Sequence, residues 1–177
     1  MVNLFPIEQQ QKYPIFGRFN ALYGDTIVDN WPQLGKFTIQ VLTTEEFEAD
    51  THGLPPVDDI EEQPFFCSSN QTEAKAETTI AGIMFNPQLI ARYGLTEEEQ
   101  IASIAHEIGH IVLRFREKDG NYEQPQSIEI FADKIACQLG LAKPLLSTIE
   151  KIENSGVFTD CLSRFGMRKS QACTSIQ

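Results

Sequence analysis

Apolar residues recur at intervals of three and four between Glu97 and Arg116, at Ile101, Ile104, Ala105, Ile108, Ile111, Val112 and Phe115. That is the period of a helix with one buried stripe. Thr96 followed by Glu99 makes a capping box, Glu97, Glu98 and Glu99 fill the first turn where the helix dipole favours negative charge, and Gly120 supplies a stop. Ser103 and Arg114 fall off the stripe and mark a polar face. A second helix is predicted from about Pro125, suited to a first helical turn, to Gly140, with Ile128, Phe131, Ala132, Ile135 and Leu139 as its apolar set. Pro144 opens a third, Leu145 to about Asn154, closed by Gly156, and a short fourth is expected over Asp160 to Phe165. The C-terminal half therefore reads as mostly helical.

Upstream the pattern changes. Residues 1 to 36 mix aromatics with Pro6, Pro14, Gly17, Gly24 and Pro32, and Trp31-Pro-Gln-Leu-Gly reads as a turn before a strand over Lys36 to Leu42. From Thr43 to Lys75 the chain is acidic and holds Gly53-Leu-Pro-Pro56 and Pro64 with no steady period, so it reads mainly as loop with room for a short helix. Thr78 to Phe85 is β-branched and aromatic enough for a buried strand, which Asn86-Pro87 ends because proline withdraws a backbone donor. Strands followed by helices imply an α+β fold with a sheet of two or more strands.

The chain has 177 residues, 41% hydrophobic and 22% charged, enough for one ordinary core and short for two, so a single domain over 1–177 is expected. No internal repeat appears. No apolar run reaches the 18 or so residues of a membrane span, and the start lacks the basic flank and apolar core of a secretion signal, so a cytoplasmic protein without a membrane partner is expected. A formal charge of -11, from 25 acids against 14 bases, argues against a nucleic-acid partner. Cys67, Cys137, Cys161 and Cys173 form no Cys-x-x-Cys pair, which argues against a structural zinc cluster and leaves reduced thiols as the expectation.

Candidate chemistry is concentrated on the two longer predicted helices. In His106-Glu107-Ile108-Gly109-His110 the imidazoles are offset by only about 40° around the helix, with Cβ atoms about 5–6 Å apart, so both can reach one metal ion. Glu107, turned by about 100° from His106, is placed to take a proton from water rather than to bind the metal. With three histidines in the chain, the pattern would arise by shuffling in roughly one of a few hundred sequences, so two unrelated surface histidines explain it poorly. On the next helix Glu129 and Asp133 share a face distinct from the apolar one. If the two helices lie side by side, Glu129 completes a His-His-Glu ligand set, and Asp133 accepts the outward ring N–H of a histidine, most simply His106, and fixes its tautomer. A solvated acidic edge is the plain alternative for this pair.

His-Glu-x-x-His followed on a later helix by Glu-x-x-x-Asp resembles the gluzincin metallopeptidases, over about Ile80 to Leu141. Ile83-Met-Phe-Asn-Pro87, Leu95-Thr-Glu-Glu-Glu and Ala105-His-Glu-Ile-Gly-His110 are similar to the minimal gluzincins and to the HtpX-like peptidases, whose membrane spans are missing here. Phe131-Ala-Asp and Leu162-Ser-Arg-Phe-Gly-Met are similar to the ImmA/IrrE-like regulatory peptidases. The resemblance implies one zinc ion per chain held by His106, His110 and Glu129, Glu107 as general base and Asp133 behind a ligand. It also implies a small zincin-like domain, its mixed or antiparallel sheet having an edge strand beside the active-site helix.

The expected function is hydrolysis of peptide bonds in a peptide or protein substrate, with extended substrate held along an edge strand near Thr78 to Phe85. Tyr122, His52 and Arg168 are candidates for the donor that stabilises an oxyanion, none singled out by pattern. Cys137, four residues beyond Asp133, reads as a buried thiol, and Cys173 as a tail residue that can cap the metal only if the tail folds back. Two other classes remain: a latent or regulatory zinc protein whose terminal segment blocks the cleft, and a non-enzymatic module with a structural metal, against which Glu107 argues. The oligomeric state is not readable from the chain.

Overall fold

A computed structural model describes residues 2–46, 63–70, 80–117 and 125–155. The fold is α+β, and the chain divides into two compact units, Met1–Pro87 and Gln88–Gln177.

The first unit holds α1 (Ile7–Lys12), α2 (Pro14–Asn30), a short 3-10 turn (Pro32–Lys36) and strands β1 (Gln40–Thr43), β2 (Phe65–Asn70) and β3 (Ile80–Phe85). The helix α2 falls where the sequence pattern assigned no element. Its buried residues Phe16, Phe19, Asn20, Gly24 and Ile27 keep a helical spacing, but the glycines and flanking prolines hid it. Gly17 and Gly24 are close-approach positions: a Cβ would lie 3.2 Å from the Gln10 carbonyl oxygen at the first and 3.1 Å from Asn20 Oδ1 at the second. Asn20 in turn clasps the N-terminal segment, accepting from the Leu4 N–H at 2.8 Å and donating to the Val2 carbonyl at 2.9 Å.

The three-stranded sheet is mixed, in the order β1-β3-β2. β3 pairs parallel with β1 (Gln40 opposite Gly82, Thr43 opposite Phe85) and antiparallel with β2 (Phe65 opposite Phe85, Asn70 opposite Ile80). This overturns the expectation that the strand near Thr78–Phe85 is an edge available to substrate, since its backbone groups pair on both sides. The partner not foreseen is β2, inside the stretch read as loop. Ala81, Ile83, Met84 and Phe85 are buried, as a central strand covered on both faces requires. Phe5, Phe16, Phe65 and Phe85 make this unit's aromatic cluster, with centroids 5.2 Å apart for Phe5–Phe16 and 5.4 Å for Phe16–Phe85.

The second unit is built from α3 (Pro87–Tyr93, beginning at the boundary), α4 (Glu97–Glu117), α5 (Pro125–Gln138) and α6 (Ala142–Asn154). Both α3 and α5 end on a left-handed glycine, Gly94 at φ 59° and Gly140 at φ 79°, a conformation that costs other residues a Cβ clash. The Leu95 N–H returns to the Ile90 carbonyl and the Leu141 N–H to the Ala136 carbonyl, both at 3.0 Å, closing Schellman motifs. α6 starts three residues before the predicted Leu145, since Pro144 is tolerated in a first turn.

The capping box of α4 forms as read: the Thr96 N–H donates to Glu99 Oε2 at 2.6 Å, and the Glu99 N–H reaches Thr96 Oγ1 at 3.4 Å. The single stripe does not. From Ile101 to Gly109 every residue is buried, Ser103 and Glu107 included, so α4 is this unit's central element rather than a surface helix. Ser103 tolerates burial because its Oγ donates to the Glu99 carbonyl at 2.9 Å. Around α4 pack α5 and α6, through Ala132, Ile135 and Ala136 of the first and Leu145, Ile149 and Ile152 of the second. The predicted Asp160–Phe165 helix lies outside the described residues. No helix among them is long and apolar enough to cross a membrane.

Candidate metal centre

The α4 stretch that carries the histidines is held helical by its cap and buried from Ile101 to Gly109, so the imidazoles project from a rigid rod. Their rings stand nearly perpendicular, 88° apart with centroids 4.7 Å from each other, and the two Nε2 atoms are separated by 3.0 Å. Glu129 comes across from α5, with one carboxylate oxygen 3.4 Å from His106 Nε2 and the other 3.5 Å from His110 Nε2. One ligand atom from each of the three residues lies within 4.8 Å of the others.

Behind this triangle, His106 Nδ1 lies 2.8 Å from Asp133 Oδ1. Asp133 is 1% exposed. A carboxylate oxygen only accepts, so Nδ1 carries the hydrogen, and in the neutral ring the other nitrogen then directs its lone pair toward His110 and Glu129. Two facing ring nitrogens at 3.0 Å repel unless a proton sits on one or a cation lies among them. The donor set suits the cation. Bonds of about 2.0–2.1 Å meeting at tetrahedral angles have their ends about 3.3–3.4 Å apart, close to the three separations here. Two imidazoles and a carboxylate are also the nitrogen and oxygen donors that zinc accepts while keeping a fourth position for water.

Glu107 is buried at 6% exposure, next in sequence to His106, and Glu129 is the most open member, its side chain 34% exposed. The site is thus closed on the α4 side and open toward Glu129. All five residues singled out from the sequence, His106, Glu107, His110, Glu129 and Asp133, lie on α4 and α5 of one unit, and His106, His110, Glu129 and Asp133 converge. Tyr122, His52 and Arg168 lie outside the described residues, as do Cys161 and Cys173. Cys137 is half-buried on α5, less enclosed than a core thiol, and Cys67 is buried in β2.

Sequence reading missed what holds the frame. Glu99 binds α6 to the start of α4, accepting from Ser147 Oγ at 2.6 Å and from Lys151 Nζ at 2.7 Å, and Lys151 also donates to the Gly94 carbonyl at 2.7 Å. Burial alone would raise the Glu99 pKa, but donation from Lys151, Ser147 and the backbone and hydroxyl of Thr96 outweighs it and holds the carboxyl below its ordinary value. Gly109 was passed over as a variable position of the motif, although a glycine inside a 21-residue helix is costly by about 1 kcal/mol and calls for a packing reason.

Compared with family models, curated proteins and solved structures, the chain matches none of them. The functional reading therefore stands on the residues and their geometry.

Proposed function

We propose that the chain is a zinc-dependent peptidase in which His106, His110 and Glu129 hold the ion, Glu107 is the general base and Asp133 orients His106. The observation that carries the reading is the convergence of the three donor groups with a buried carboxylate behind one of them. A His-His-Glu set with an adjacent buried carboxylate fits a catalytic centre better than a structural one, because structural zinc sites close all four positions with protein ligands.

When bound, zinc supplies Lewis acidity, lowering the pKa of water at the open position and polarising a carbonyl oxygen. Glu107 then takes the proton from the attacking water and returns it to the leaving amine. Asp133 keeps the His106 lone pair aimed forward throughout. The exposed flank at Glu129 is where a peptide carbonyl is expected to enter.

Purified full-length protein should carry one zinc per chain and hydrolyse an unstructured reporter peptide in a manner abolished by chelator and restored by zinc. Glu107→Gln should keep the metal and lose activity by about 10²–10⁴-fold. A Glu107→Gln protein that cleaves at the parental rate ends the assignment of the base, and a parent that binds no metal ends the whole reading.

A further inference from the structure

Gly109, on the turn between the two metal-facing histidines, lies against the backbone of α5. A Cβ placed on it would stand 2.6 Å from Ala132 Cα, 2.9 Å from the Ala132 carbonyl oxygen and 3.1 Å from Ala132 Cβ. The two nearest atoms are main chain, so no rotamer change relieves the contact; one helix has to move. Ala132 is fully buried, immediately before Asp133 and three residues after Glu129. The close approach therefore lies beside the groups that α5 contributes to the site.

We propose that Gly109 is a positioning residue for the metal centre: by carrying no side chain it sets the α4–α5 spacing at which Glu129 and Asp133 reach the His106–His110 pair. This rests on the zinc reading above and extends it to a residue that touches neither metal nor substrate. Ordinary carbon–carbon contact is about 3.5–4.0 Å, so a methyl at Gly109 forces the backbones apart by about 1 Å. Metal–ligand distances tolerate only about 0.2 Å, and the 2.8 Å bond from His106 to Asp133 does not survive a lengthening of about 1 Å. Glycine is the poorest helix former after proline, so its place within α4 is consistent with selection for spacing over helix propensity.

The test is cobalt(II) titration of the full-length protein, followed by the visible absorption of the bound ion, with thermal melting of each metal-free variant alongside. The parent is expected to bind one ion per chain with the intense bands of a four-coordinate site. Gly109→Ala should weaken binding by about 10-fold or more, the range seen when groups behind metal ligands are disturbed, and should alter the band pattern. Ile149→Val, a core truncation on α6, should lower the melting temperature while leaving cobalt affinity and spectrum unchanged. Should Gly109→Ala fail to fold, Ala132→Val adds bulk from the α5 side of the same contact and should weaken binding to a similar extent. Parental affinity and spectrum in Gly109→Ala, or in Ala132→Val where that is the folded variant, overturn the proposal. So does an Ile149→Val protein that loses affinity equally, because affinity would then only follow stability. A parent that binds no cobalt fails differently: it removes the metal centre itself.

Discussion

His106 is fixed from behind. Its Nδ1–H donates to Asp133, which is almost wholly buried, and this holds the ring with its other nitrogen toward His110 and Glu129. Asp133→Ala leaves that ring hydrogen without its acceptor and frees the ring to rotate. Zinc affinity should fall by about 10–100-fold, measured by competition with a chromophoric chelator, while His110→Ala, which removes a ligand outright, should abolish stoichiometric binding. An Asp133→Ala protein with parental affinity would show that packing alone orients the ring. At this scale the sequence was most legible. A spacing of four on a helix is a statement about angle, and by itself it places both histidines on one side of their helix, and Glu129 and Asp133 on one side of theirs. Gly109 was not legible in the same way, because what a missing side chain makes room for depends on a second helix.

Single elements were legible in proportion to how much of their stability is local. The start of α4 at Glu97 was read correctly because Thr96 and Glu99 cap it through contacts only three positions apart, whereas the Gly120 stop lies outside the described residues. β2 was missed because Phe65-Phe-Cys-Ser-Ser-Asn has little strand propensity beyond its first three residues, and its place in the sheet is set by pairing with β3 rather than by its own sequence. Glu99 shows how an element-scale contact becomes a pH dependence. Its carboxyl is held below the ordinary value in the folded chain, so its contribution to stability is complete above the unfolded pKa of about 4.3 and is lost as pH falls through the lower folded value. Glu99→Gln should therefore destabilise the protein at neutral pH and flatten the acid limb of stability against pH, as read by urea unfolding from pH 7 down to pH values below 4. Lys151→Met should do the same in part, since it withdraws the largest of the lowering partners. An acid limb of unchanged slope in Glu99→Gln would place the titrating groups elsewhere.

Across the whole molecule, both units carry a carboxylate of this kind. In the first, Glu46 gathers the Lys12 ammonium, the Thr43 N–H at 2.8 Å and the Tyr13 hydroxyl at 2.7 Å. Burial pushes its pKa up, but these donors, Lys12 foremost, bring it down to about 2. Its share of stability is accordingly present above about pH 4.5 and drains away between there and about pH 2. Glu46→Gln should remove part of the acid dependence without touching metal affinity, since all the proposed ligands belong to Gln88–Gln177. If the 177-residue chain unfolds as one cooperative unit, zinc at 100 times its dissociation constant is expected to stabilise the folded state by about 2.7 kcal/mol, a rise in melting temperature on the order of 5–10 °C. Excess chelator or His110→Ala should abolish that rise.

Two things followed from the order of residues alone: the helices of the C-terminal half, with the Thr96–Glu99 cap, the first-turn prolines and the Gly140 stop, and the identity of the groups proposed to hold a cation. Both rest on periodicity and on contacts within a turn or two, which the local chain dictates. Three others needed the folded chain: that β3 is central and not an edge, that α4 is buried all round from Ile101 to Gly109, and that Glu129 reaches both histidines and Asp133 reaches His106 from a second helix. Each is a meeting of segments far apart in sequence, set by which surfaces pack and how closely, and no local pattern encodes a distance between two backbones.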